Sequence, residues 1–151
     1  MAVLETPMAI RKVAMDLLAM REHGRLELKR KLLRKGALPE LIDNVLDQLT
    51  QDKLLNESRY LESYIRSRAN NGYGPLRIQQ ELLERGINKT EITQALDESG
   101  YDWQEQLQMV WERKFGNSPK DLKEKAKQGR FLLYRGFNIG MINKLKKFNI
   151  N

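Results

Sequence analysis

Three short stretches of this chain, LLRKG at 32–36, LLERG at 82–86 and LLYRG at 132–136, stand fifty residues apart. That period restricts the fold more than any other feature. A fifty-residue unit can barely bury a core alone, so units repeated at this interval must share or stack their apolar surfaces. At 151 residues the chain has room for three of them.

Each pentapeptide closes a helical pattern. Leu28 and Leu32 are four apart, as are Ile78 and Leu82, while Leu26/Leu33 and Leu76/Leu83 recur at seven. These spacings predict one apolar stripe per helix. Pro75 suits a first helical position, where its missing N–H has no partner to lose. Gly36, Gly86 and Gly136 suit the left-handed residue just past the last turn. Arg34, Lys35, Arg85 and Arg135 lie where cations favour the helix dipole.

A second helix is predicted after each glycine. Asn88 caps one, with Glu91 as its reciprocal partner and Ile87 as a hydrophobic staple; Asn138 and Phe137 take the same roles in the last copy. Pro39 opens the helix in the first. Ile42, Val45, Leu46 and Leu49 form its inward stripe, echoed by Ile92, Ala95 and Leu96 and by Ile142 and Leu145. Another helical pattern precedes each pentapeptide: residues 9–20 with Ile10, Val13, Ala14, Leu17 and Leu18; a stretch capped by Asn56 with Tyr60, Leu61, Tyr64 and Ile65; and one with Trp103, Leu107, Val110 and Trp111. Strand alternation is nearly absent. The predicted fold is all-α: three tandem three-helix-bundle repeats, residues 1–55, 56–102 and 103–151, in an elongated, curved array.

Charge is unevenly spread along this frame. The net charge of +7 resides in the last third, where residues 103–151 carry 11 basic and 4 acidic side chains. A basic end of this kind fits nucleic acid or an acidic protein. Lys120, Lys123, Lys125, Lys127 and Arg130 crowd one stretch, and Lys144, Lys146 and Lys147 cluster near the end. Lys29, Arg30 and Lys31 flank the apolar stripe of the first repeat. Tyr134 stands where the other copies have Arg34 and Glu84, and an aromatic at an outward position suggests a contact. Phe131, Tyr134 and Phe137, at spacing three, are expected on one face. Tyr60, Tyr64, Trp103 and Trp111 fall among aliphatics and are expected in the core. These eleven cations together with Tyr134 form one candidate set for partner or DNA contact.

Catalytic chemistry has little to build on. The chain has no cysteine and one histidine, His23, which no fixed partner pattern accompanies. No Asp-rich loop offers a metal site, and no GxxxxGK(S/T) run offers a nucleotide site. No catalytic residue, metal or cofactor is expected, and the chain is read as a binding protein, not an enzyme. No apolar run approaches the roughly 20 residues of a membrane span, and the opening MAVLETPMAI lacks the layout of a secretory signal. A soluble, cytoplasmic monomer is the expectation.

The stretch LLNESRYLESYIRSRANNGYGPLRIQQELLERGI at 54–87, followed by RFLLYRGF at 130–137, resembles the RecX family, bacterial regulators of the RecA recombinase. The similarity covers residues 9–148. AMREHGRLELKRKLLRKG resembles the family's opening copy, with Gly24 where a serine is more usual. The resemblance implies tandem three-helix repeats that bind within the groove of the RecA–DNA filament, inhibit ATP hydrolysis and strand exchange, and limit filament growth. Single- or double-stranded DNA within that filament is a further implied partner. The competing expectation is a direct DNA-binding protein that uses its short helices as helix-turn-helix readers.

Overall fold

The structure is a computed structural model and describes residues 4–150; the first three residues and the last, ends of the expected 1–55 and 103–151 segments, lie outside it. Among the described residues the chain forms nine helices: α1 (Pro7–Met20), α2 (Arg25–Arg34), α3 (Pro39–Gln51), α4 (Glu57–Asn70), α5 (Pro75–Glu84), α6 (Lys89–Glu98), α7 (Trp103–Lys114), α8 (Leu122–Tyr134) and α9 (Ile139–Asn143). The only extended pairing among them is one isolated bridge between Leu4 and Ala37.

The boundaries follow from local chemistry. Pro7, Pro39 and Pro75 open α1, α3 and α5, and the side chains of Thr6, Asp102, Asp121 and Asn138 accept backbone N–H groups of the first turn. Asn56 accepts the Arg59 N–H at 3.0 Å and so caps α4. Asn88 caps α6, but it accepts from Thr90, at 2.7 Å; the expected reciprocal box with Glu91 gives way to this shorter loop. Gly36, Gly86 and Gly136 end α2, α5 and α8 with φ of +93°, +83° and +102°. Last-turn carbonyls accept the N–H groups that follow, as in Ala37 N to Leu32 O at 3.0 Å and Phe137 N to Leu132 O at 3.2 Å.

The helices gather into two compact units. The first runs through Ser63 and takes in Arg85–Ile87. Here α1, α2 and α3 pack on one another around Ile10, Ala14, Leu28, Leu32, Ile42, Leu46 and Leu49. All are fully buried, and each leucine or isoleucine among them is worth about 1.5–3 kcal/mol in transfer free energy.

The second unit comprises Tyr64–Glu84 and everything from Asn88 on. Leu107, Trp111, Leu132, Phe137, Ile142, Leu145 and Phe148 form a core where α7, α8 and α9 meet. Its one buried polar pair is satisfied: the Trp111 indole N–H donates to Gln128 Oε1 at 2.9 Å, and Gln128 donates to Asn117 O at 3.3 Å. The last helix has only five residues. Gly140 lowers its helical propensity, and Phe148 from the segment beyond fills the remaining core. Within this unit the end of α8 meets the start of α5 through main-chain bonds: Gly74 N–H donates to Arg135 O at 2.7 Å, and Leu76 N–H to Gly136 O at 3.0 Å.

Two expectations about sidedness are corrected. Leu28, Leu32, Ile78 and Leu82 are fully buried, but Leu76 is half exposed and Leu33 and Leu83 are each 39% exposed. The seven-residue series lies on the flank of the helix, because its members sit about 100° from the buried leucine beside them. Phe131, Tyr134 and Phe137 also part company. Phe137 is past the glycine and buried, Phe131 is half-buried, and Tyr134 projects from the last turn of α8. Of the four core aromatics expected, Tyr60 and Trp111 are buried, while Tyr64 and Trp103 are only half so.

Candidate functional site

The inner side of α8 is fixed by Gln128, Gly129 and Leu132, all buried. Its opposite side therefore faces outward, and there Lys123, Lys127, Arg130 and Tyr134 are all exposed. Steps of four, three and four residues keep them within about 60° of arc and spread them over roughly 16 Å of helix. The acidic residues of this segment are turned to other work. Asp121 caps the helix through Glu124 N at 2.8 Å, and Glu124 accepts the Lys120 N–H at 3.3 Å. The result is a row of three cations ending in a phenol.

Tyr134 is 71% exposed, yet its position is supported. The Arg77 guanidinium lies 4.7 Å from the centre of its ring and 4.6 Å from that of Tyr73. Arg77 also donates to Tyr134 O at 3.2 Å and to Glu81 at 3.3 Å. Tyr73 carries two further guanidiniums on its ring, Arg68 at 3.9 Å and Arg135 at 4.7 Å. Glu81 holds this group together: Arg68 grips it through two bonds of 2.8 and 2.7 Å, and the Tyr64 hydroxyl donates to it at 2.9 Å. Burial alone would raise the Glu81 carboxyl, but the bonds from Arg68, Tyr64 and Arg77 bring it below its ordinary value. Sequence reasoning missed this cluster. Its one local sign was the four-residue step from Arg77 to Glu81; the link to Tyr134 spans 57 residues.

The remaining candidates divide. Lys120 is exposed just before α8, whereas Lys125 is half-buried with its ammonium 5.2 Å above the Phe148 ring. Lys144, Lys146 and Lys147 are exposed beyond α9 and lie outside the α8 row. On α2, Arg30 is exposed, but Lys29 bonds Asp43 at 3.2 Å and Lys31 reaches His23 at 2.9 Å. The basic triplet of the first repeat is thus mostly engaged in internal contacts.

His23 is buried, and its protonation follows from its neighbours. Nε2 faces the Lys31 ammonium, which can only donate, so Nε2 accepts; Nδ1–H then donates to Arg21 O at 3.0 Å. The ring is neutral, and burial, with the charges of Arg21 and Lys31, lowers its pKa below 6.5. Nearby, Glu27 is held by Arg21 at 2.6 Å and Arg85 at 3.0 Å. Burial opposes its charge, but the Arg21 hydrogen bond and both guanidiniums bring it below 4.5.

A pH dependence follows from these directions. A base depressed on folding contributes stability above its unfolded pKa, which is lost as pH falls from about 6.5 toward the folded value. Glu27 and Glu81 contribute above about 4.5 and lose that contribution as pH falls through their lower folded values. Melting temperature is therefore expected to decline in two stages, and since His23 is the chain's one histidine, His23→Gln should flatten the first. An unchanged slope between pH 7 and 5.5 in that variant would contradict the assignment.

Among the described residues no group of three or more His, Cys, Asp or Glu side chains could hold a metal ion. None of their helices is long and apolar enough to cross a membrane.

Comparison with known proteins bears on what this arrangement serves. Three family models match in series: RecX first three-helix domain at residues 11–49, second at 56–96 and third at 101–145. The chain is 59% identical over 145 residues to a protein named Regulatory protein RecX from Pseudomonas fluorescens strain Pf-5, covering 95% of this chain and 94% of the relative. It is 58% identical to the protein of that name from Pseudomonas syringae pv. tomato, covering 95% and 94%. The crystal structure of RecX from Lactobacillus salivarius superposes with a TM-score of 0.74 at 24% identity, over 91% of this chain and 92% of that one, a likeness of fold. Three consecutive domain matches and this identity along nearly the whole length lead to one conclusion: the chain belongs to the RecX family of regulatory proteins.

Proposed function

We propose that the chain is a modulator, mainly an inhibitor, of the RecA recombinase in the bacterial cytoplasm. It binds along the RecA–DNA filament and suppresses ATP hydrolysis, strand exchange and filament growth. Its three helical repeats, 1–55, 56–102 and 103–151, serve as linked contact modules. Modest contacts with successive protomers then reinforce one another through high effective concentration. A protein bound to one filament geometry slows turnover that requires another.

The observation that supports this reading is the exposed row Lys123, Lys127, Arg130 and Tyr134 on α8, in which basic groups outnumber the two bordering carboxylates, Asp121 and Glu124. Such a row suits an anionic partner, and its like charges repel one another when left unpartnered. The hold it provides weakens steeply with salt.

The direct test is single-strand-dependent ATP hydrolysis by RecA, which substoichiometric protein should depress. Joint replacement Lys123→Glu, Lys127→Glu and Arg130→Glu is expected to raise the concentration needed for half-inhibition by about tenfold or more. These side chains are exposed, so helical content and melting should stay unchanged. Unaltered turnover at a stoichiometric excess of wild-type protein would remove the reading. Full inhibition by the triple variant would reduce the α8 charges to simple solvation.

A further inference from the structure

We propose that α8 carries a base-stacking site for single-stranded nucleic acid: an unpaired base lies on the open face of the Tyr134 ring, and Arg130, Lys127 and Lys123 meet the phosphates beside it. This names the partner of the α8 face and rests on the functional reading above for its setting.

The argument begins with the ring. A tyrosine at an exposed helix end ordinarily swings freely, and ordering it against a base would cost side-chain entropy. Tyr134 is already constrained. Arg77 lies against its ring at 4.7 Å, and Arg77 is itself fixed by the Tyr73 ring at 4.6 Å and by bonds to Tyr134 O and Glu81. The Arg77 guanidinium thus contacts both the Tyr73 and the Tyr134 rings, while Tyr134 remains 71% exposed and has ring surface left for a further partner. A cation behind an aromatic ring draws on its π-electrons and leaves the outer face suited to another flat group.

Chemistry distinguishes the occupant. An acidic peptide could answer Lys123, Lys127 and Arg130, but its carboxylates offer nothing to an aromatic face. A single strand supplies both parts at once, flat bases and regularly spaced phosphates. A duplex hides its base faces within the stack, so it could meet the cations but not the ring. The exposed arc of α8 also includes Ala126 and Leu133, and the carboxylates that border it, Asp121 and Glu124, stand at its N-terminal end, opposite Tyr134.

The test uses the whole protein without recombinase. Affinity is measured by fluorescence anisotropy for a labelled thymidine oligonucleotide and for an abasic oligonucleotide of equal length and charge. The base-bearing strand is expected to bind about tenfold tighter or more, the usual scale for one stacked base. Tyr134→Ala should erase that preference and Tyr134→Phe should keep it. Lys127→Gln with Arg130→Gln should weaken both strands alike and reduce the salt slope. Equal wild-type affinity for the two strands, or a base preference that survives Tyr134→Ala, overturns the proposal. So does equally easy displacement of the base-bearing and abasic strands by polyglutamate at matched charge, which would leave the ring without a role. Recombinase inhibition is measured separately. Inhibition without base preference sinks only this site, and base preference without inhibition sinks only the functional reading.

Discussion

Gly136→Ala is expected to destabilise the protein by about 2–5 kcal/mol, measured as the free energy of unfolding in urea. Two costs combine. The residue sits at φ +102°, where an L side chain costs about 1–2 kcal/mol. A Cβ there would lie 2.6 Å from Arg77 N and 3.0 Å from Gly74 O, and forcing atoms into a filled space costs about 1–3 kcal/mol. Gly100 separates the two terms. It has φ +80°, but an added Cβ would meet nothing within 4 Å. Gly100→Ala should therefore show only the backbone cost, about 1–2 kcal/mol. Equal losses in the two variants would mean that the close approach at Gly136 contributes nothing.

Leu82→Ala is the second large effect, expected at about 2–5 kcal/mol. Leu82 is fully buried, and removing its three outer carbons leaves a cavity that the surrounding side chains close only in part. Leu83→Ala, one residue on, removes the same atoms from a side chain 39% exposed and should cost less than about 1 kcal/mol. The same contrast is expected between Leu32 and Leu33 and between Leu132 and Leu133. With total stabilities of about 5–15 kcal/mol, the inner leucine of a single pair accounts for a large fraction. Similar losses at both leucines would show that the helix is rotated from the orientation described.

These contrasts also mark where the sequence was legible. Helix ends could be read because proline, asparagine, aspartate and glycine act on their own backbone within four residues. The three glycines were therefore assigned correctly from spacing alone, and so were Pro39 and Pro75. Which of two adjacent leucines points inward is harder. Both belong to an apolar series, at four or at seven, and only the packed neighbours decide between them. The capping bond of Asn88 shifted from the expected box for a similar reason, since Asx side chains reach two or three residues equally well.

At the site, the row Lys123, Lys127, Arg130 and Tyr134 was legible as a charge cluster with an unusual aromatic. Helix period alone sets Lys125 about 200° away from Lys123; its contact with Phe148, which arrives from beyond α9, was not legible. The engagement of Lys31 by His23 and of Tyr134 by Arg77 was equally hidden. Such pairs are made by tertiary packing, and no local pattern announces them.

The meeting of α8 with α5 has a consequence for synthesis. The first amides of α5 find their acceptors on Arg135 and Gly136, about sixty residues downstream. At roughly 5–20 residues per second, a ribosome exposes the opening of α5 for several seconds before those carbonyls emerge. Through that interval a nascent chain holds a helix start that only water can satisfy, and chaperones or a premature stop would find the middle of the molecule still unfinished.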